Sequence, residues 1–460
     1  MHLNQTALGA WCLALACALY GAEALAQDKS INLPAGPTTV EPEAPVEVPA
    51  EPALTGPAPG RAVKTTEPVS ATGAPFQVGS YLVYPEMDVT WMNDSNVFYT
   101  NQSPQSDDAM IYSPAIWVQS NWAKHALNFY ASGDWTRYRK FTTEDTDDYR
   151  ASAEGRYDFS ADSNVYGGAH VGQEHEDRES PDARNGLIPT KYYVQRYYAG
   201  VFRQMERLSL RVAGTAQHLD YRDVPFVTGS GAINIINNDD RDRWQYAGGV
   251  RLGWEASQRI EPYLQVAFDN RVYDIVPDDL GYQKNSTGQR YLAGVRWNVP
   301  RKVKLDAFGG YMTQDYKDTR LNSVDAPLYG AALLWAMGER TTFSAYVDRT
   351  IEETTVTNTP SPGVVLVASS YLNTYASAGV THRFTDRFSG RVNGSWSRVD
   401  YQGFSRTDDY SSGTVGLLYK LHRYLYIDVS FSERRLDSSL PNENFAKRMT
   451  FVRAAIPFSH

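Results

Sequence analysis

After Phe76, apolar side chains return at every second position instead of every third or fourth, so the elements are strands and not helices. Leu127, Phe129, Ala131 and Trp135 share one face, with Asn128, Tyr130, Ser132 and Asp134 between them. Leu208, Leu210 and Val212 alternate with Ser209 and Arg211, and the same period recurs through Trp244, Tyr246, Val250, Leu252 and Trp254, and again through Leu425, Ile427, Val429 and Phe431. Each apolar stripe carries Tyr or Trp near its ends, as a strand crossing two membrane interfaces does. A soluble β-sandwich would alternate as well, but it would bury Leu, Ile and Val in a core.

The connections between these strands alternate in length. Short charged turns fall at Ala123-Lys124, Ala161-Asp162, Met205-Glu206-Arg207, Gln258-Arg259, Pro300-Arg301-Lys302, Gly338-Glu339-Arg340, Thr385-Asp386-Arg387 and Leu421-His422-Arg423. Long polar loops separate them near residues 94–108, 140–147, 175–190, 223–241, 274–287, 316–326, 352–369, 401–408 and 437–445. Short turns on one side and long loops on the other are the asymmetry of outer-membrane barrels. The expected fold is all-β: a transmembrane, antiparallel, up-and-down β-barrel of about 18 strands over residues 77–460, with both ends on the periplasmic side. No run after Tyr20 is apolar enough for a spanning helix, which needs about 20 residues. A membrane location therefore requires a closed sheet, in which every backbone group finds a partner.

The N-terminal residues differ in kind. Residues 1–26 read as a secretory signal, with an apolar run from Ala7 to Tyr20 and small residues at Ala22, Ala24 and Ala26 ahead of Gln27, although the leading segment has no Lys or Arg. Both cysteines, Cys12 and Cys17, fall inside it, so the mature chain is expected to lack disulfides and thiol chemistry. Residues 27–76 are rich in Pro, Ala, Glu, Thr and Val, as in Thr39-Val40-Glu41-Pro42-Glu43-Ala44-Pro45. Such a segment buries too little apolar surface to fold, and is expected to be a disordered periplasmic linker reaching on the order of 100 Å. It is either a spacer or a tether to periplasmic machinery or peptidoglycan.

Charge narrows the function. A net charge of −9 argues against nucleic acid as a partner. The inferred inward face carries Asp134, Glu154, Arg156, Arg211, Arg251, Glu255, Asp269, Arg271, Arg296, Asp306, Asp348, Arg391, Asp428 and Arg453 as candidate pore-lining residues. Charges at membrane depth must face water or one another. They either pair into a network that stiffens the wall, or present arginines to an anionic solute or polymer.

The loops hold paired acids at Asp107-Asp108, Asp145 to Asp148, Asp239-Asp240, Asp278-Asp279 and Asp408-Asp409. Their recurrence points to a hydrated or cation-binding rim rather than one catalytic pair. His170, Glu174, His175, Glu176 and Asp177 are the densest metal-like group, but strand parity turns His175 away from His170 and Glu174. No phosphate-binding loop or nucleophile elbow is present. No catalytic residue, metal site or cofactor is expected.

The segments Asp94-Ser95-Asn96-Val97-Phe98, Tyr112-Ser113-Pro114-Ala115-Ile116 and Ser120-Asn121-Trp122-Ala123-Lys124-His125 carry a further signal. They resemble the β-barrel porin family often linked to exopolysaccharide secretion loci, with Ser95 standing where that family's signature has Asp. The C-terminal strand, with Phe458 as its last aromatic, fits the same class. The resemblance implies an outer-membrane channel that serves as exit pore for an exopolysaccharide or capsular polysaccharide, similar in general plan to barrels exporting anionic polymers such as alginate. Its partners would be outer-membrane lipid, lipopolysaccharide and periplasmic polysaccharide-export proteins. A general diffusion porin for small solutes and a closed structural barrel are the alternatives.

Overall fold

The computed structural model describes residues 75–180, 182, 186–361, 364–440 and 443–458. The signal-peptide expectation, nearly all of the linker and the last two residues lie outside the described residues. Phe76, placed at the linker's end from the sequence, already belongs to a short strand, Phe76–Val78.

The main sheet has 19 strands, all antiparallel neighbours, and Phe76–Val78 is an appendage on the first long one, which leaves 18 in the wall. In chain order these are Tyr81–Asp94, Asp107–Ser120, Ala126–Tyr138, Thr146–Ser160, Ser163–His175, Lys191–Met205, Leu208–Tyr221, Arg243–Trp254, Ile260–Tyr273, Ser286–Val299, Val303–Tyr316, Val324–Ala336, Thr341–Glu353, Ser370–Arg383, Phe388–Gln402, Thr407–His422, Leu425–Ser438 and Phe445–Pro457. Each pairs with the next, and the first pairs with the last from Glu86↔Pro457 to Asp94↔Met449. The sheet is therefore closed into a barrel, with one ladder, between Val324–Ala336 and Thr341–Glu353, ending early at Gly330↔Asp348. Phe76–Val78 continues the seam below the last strand by pairing with Tyr81, Leu82 and Val83.

Because the side-chain period is two, this register fixes which residues face lipid. Val250, Leu264, Phe268, Val392, Val415 and Val429 are exposed on the outside of the wall. Trp254, Trp297, Trp335, Phe384 and Tyr419 lie toward the short-turn ends, and Trp91, Tyr112, Trp135, Tyr149 and Tyr311 toward the long-loop ends, making two aromatic girdles. Phe458 joins the lower girdle, and its amide donates to the Pro85 carbonyl at 3.0 Å.

Two expectations change at the loops. Strands Phe388–Gln402 and Thr407–His422 run further than the apolar pattern suggested, so the loop expected at 401–408 shrinks to residues 403–406. The loops expected at 223–241 and 352–369 are partly ordered, holding the hairpins Val224–Val227 with Ile233–Ile236 and Thr357–Ser361 with Val364–Val367.

The assignment of faces is testable. Val250→Arg puts a charge on the lipid face near mid-strand and should cost about 2–4 kcal/mol, whereas Thr215→Arg, on the inner face, should change stability by about 1 kcal/mol or less. Denaturant titration of the protein folded into vesicles measures both.

Candidate functional site in the barrel lumen

Thirteen of the fourteen candidate pore-lining charges lie on inward positions of wall strands. The exception is Glu255. The strand Arg243–Trp254 ends one residue before it, and its side chain is exposed in the short turn, where its amide donates to the Arg207 carbonyl.

Many inward charges pair. Arg391 makes a two-pronged contact with Asp428, one bond measuring 2.9 Å. Arg453 reaches Asp88 at 3.3 Å, and Arg296 donates to Asp306 at 3.1 Å. Asp269 sits between Arg271 and Arg290. Arg271 is also held by Glu353, and Arg156 meets Asp158 at 3.0 Å. Much of the set is thus ion-paired along the wall. Asp134, Glu154, Arg156, Arg296, Asp306 and Arg391 nevertheless remain partly exposed inside the barrel.

The sequence reasoning missed two features of the lumen. The first is a group of inward aromatic rings. Tyr166 faces Gly200, Tyr198 faces Gly168, Tyr263 faces Gly294 and Phe308 faces Gly330 across neighbouring strands. For Tyr198, Tyr263 and Phe308 the glycine is needed, because a Cβ on Gly168, Gly294 or Gly330 would collide with the ring opposite. These rings lie along the wall instead of standing out from it. Parity could have found them: Tyr130 was read as an inward position, and the same count puts Tyr166, Tyr198 and Tyr263 inward.

The second is the filling of the long-loop mouth. After His175 the chain turns inward. Arg178 donates to both Glu144 oxygens, at 2.9 and 2.6 Å, and Glu176 accepts from Arg241 at 2.9 Å. On wall strands beyond the closing seam, Arg434 donates to Glu179 at 3.1 Å, and Tyr410 donates to the Glu179 carbonyl at 3.4 Å. Asp182 accepts from the Thr355 amide and hydroxyl at 2.9 and 2.7 Å.

The strand Thr341–Glu353 adds to this narrowing. It pairs with Val324–Ala336 only as far as Asp348, then leans over the lumen. There Ile351 packs on Leu292, Met312 and Val324, and Glu353 accepts from Tyr273 at 2.8 Å and Tyr316 at 3.0 Å. A cluster of Tyr371, Tyr401, Tyr410, Leu436 and Phe445, with Tyr99 against it, fills a third part.

The acidic pairs in the loops act mainly as internal acceptors. Asp107 accepts from the Lys140 and Phe141 amides, Asp278 from the Leu280 and Tyr282 amides, and Asp408 from Arg406. His175 bonds Asp148 at 2.8 Å, and Glu174 accepts from Tyr192 at 2.8 Å. Among the described residues no group of three or more His, Cys, Asp or Glu could hold a metal ion.

Glu179 is the most informative tie. Burial pushes its carboxyl above the ordinary glutamate range although Arg434 opposes the rise. A raised value means that its contribution to docking is complete below the ordinary glutamate pKa and is lost as pH climbs through the raised one. Single-channel conductance should therefore increase with pH, and Glu179→Gln should flatten that response. Arg434→Ala removes one partner of a buried pair, a loss of about 3–5 kcal/mol. It should speed amide hydrogen exchange in residues 176–180 and raise conductance.

No curated protein matches the chain. Among solved structures, OccK3 (OpdO) of Pseudomonas aeruginosa is 12% identical, covers 82% of this chain and 96% of its own, and has a TM-score of 0.42. OpdK of the same organism, solved with vanillate, is 10% identical, covering 82% and 99%, with a TM-score of 0.42. A mutant of its ferric enterobactin receptor PfeA is 6% identical, covering 83% and 81%, again at 0.42. Residues 67–457 match the family described as putative beta-barrel porin 2. The chain belongs to that family, and it is a porin-like β-barrel of the outer membrane.

Proposed function

We propose that the barrel is a passive channel through which an exopolysaccharide or capsular polysaccharide chain leaves the periplasm, with the driving force supplied elsewhere. The observation that carries this reading is the set of rings laid along the lumen wall, Tyr166, Tyr198, Tyr263 and Phe308, opposite glycines. A sugar ring offers C–H faces and hydroxyl edges. A phenol matches both, with an apolar face and a polar tip. Flat rings also leave the bore open to a polymer, and barrels of 16–18 strands enclose an aqueous lumen. Periplasmic polysaccharide-export proteins are the expected partners, with outer-membrane lipid and lipopolysaccharide around the wall.

A second reading, a diffusion porin for small solutes, is favoured by the inward residues 176–180 and Asp182, which narrow the exit. A closed structural barrel would conduct nothing.

The test is to delete and complement the gene, measuring polysaccharide in surface and periplasmic fractions. Loss of surface polymer, periplasmic accumulation and rescue are expected. Unchanged surface polymer alongside ion conductance in planar bilayers would leave the small-solute porin. Absent conductance would leave the closed barrel.

A further inference from the structure

Strand Asp107–Ser120 turns Trp117 into the lumen, directly opposite Tyr84 on one neighbouring strand and Tyr130 on the other. Its side chain is 39% exposed. Among the described residues, every other large apolar side chain of comparable exposure on the wall strands, from Trp91 to Val452, points to lipid. Lipid rewards those positions, whereas an indole left open to an aqueous bore gains nothing from that solvent. Tyr84, Trp117 and Tyr130 stand side by side, a row of about 10 Å at the usual strand spacing. The Trp117 and Tyr130 rings meet edge to face with centroids 6.2 Å apart, which fixes how the indole stands. Arg150, 5.9 Å from the Tyr130 ring, donates from Nε to Ser132 at 3.0 Å and so braces Tyr130 in turn. The next inward residue toward the long loops is Ala115, too small to cover the indole, and the next toward the short turn is the half-buried Gln119. Trp117 lies three positions before the end of its strand at the short-turn mouth, the end that faces the periplasm in outer-membrane barrels.

We propose that Trp117 is a stacking platform at the periplasmic mouth, on which one pyranose residue of the cargo docks face-on before the chain enters the bore. The inference deepens the polysaccharide-channel reading and rests on it. The apolar C–H face of the sugar covers the indole, while the Tyr130 phenol and the Gln119 amide offer polar groups to its hydroxyl rim, the mixture of flat apolar surface and few polar groups that small-molecule sites use. The class of sugar is a pyranose with equatorial hydroxyls, because an axial hydroxyl would stand between the sugar ring and the indole.

The experiment is calorimetric titration of the full chain, folded in detergent, with cellopentaose as the probe and sorbitol, which has hydroxyls but no ring face, as its control. Wild type is expected to bind cellopentaose and not sorbitol. Trp117→Ala should weaken cellopentaose binding about tenfold or more, Trp117→Phe should fall between the two, and Trp135→Phe, on the lipid face, should change nothing. Trp117→Leu keeps an apolar side chain without the ring; it should bind as weakly as the alanine variant, and it replaces that variant if heat-modifiable electrophoretic mobility shows that alanine prevents folding. No binding of cellopentaose by wild type, equal binding of sorbitol, or unchanged affinity in the folded alanine or leucine variant overturns the platform. Bilayer conductance of the same preparations decides the channel reading separately: a conducting barrel that ignores cellopentaose sinks only the platform, and a barrel that binds it without conducting sinks only the channel.

Discussion

Everything in this molecule depends on the hydrogen-bonded seam between Tyr81–Asp94 and Phe445–Pro457. In hydrocarbon an unpaired backbone amide has no water to turn to, and each one costs several kcal/mol. An open sheet of this size would expose two full edges. Closure removes them, and the pleat of each strand then gives one set of side chains to lipid and the other to the lumen. The charged interior is thus a consequence of the wall: Asp88 and Arg453, on the two sides of the seam, face one another because parity permits nothing else.

Within that constraint the lumen divides along its length. Toward the short-turn side the wall is lined by half-exposed charges and by rings lying against glycines. Toward the long loops it is filled. Residues 176–180 and the leaning end of Thr341–Glu353 meet inward side chains of several strands through buried ion pairs and apolar contacts. Buried pairs of this kind add little net stability over apolar packing, but they are costly to break singly. They therefore specify where a segment docks rather than how tightly the whole barrel holds, which suits a constriction.

Much of the wall could be read from the sequence, because a period of two is a local property and survives without knowledge of neighbours. The inward parity of Arg211, Arg251, Asp428 and Arg453 and the aromatic girdles follow from it, and the alternation of short and long connections adds the strand count. Glu255 failed because the apolar stripe gives the face but not the last residue of a strand. The short 403–406 connection failed for the same reason. The docking of Glu179 on Arg434 could not be found at all: their separation of 255 positions leaves no local trace, and Glu179 reads in sequence as one more loop acid. The flat tyrosines were legible in principle, but each requires knowing which glycine lies across the ladder.

The short strand Phe76–Val78 gives the seam an unequal lower end. The last strand stops at Pro457, and residues 81–83 of the first would otherwise offer an open rung to any passing extended chain. The protein's own upstream residues occupy it instead. The wall is thus zipped by its C-terminal strand above and latched by its N-terminal side below, so the lower end of the first strand's edge is covered by a piece of chain that crosses no bilayer.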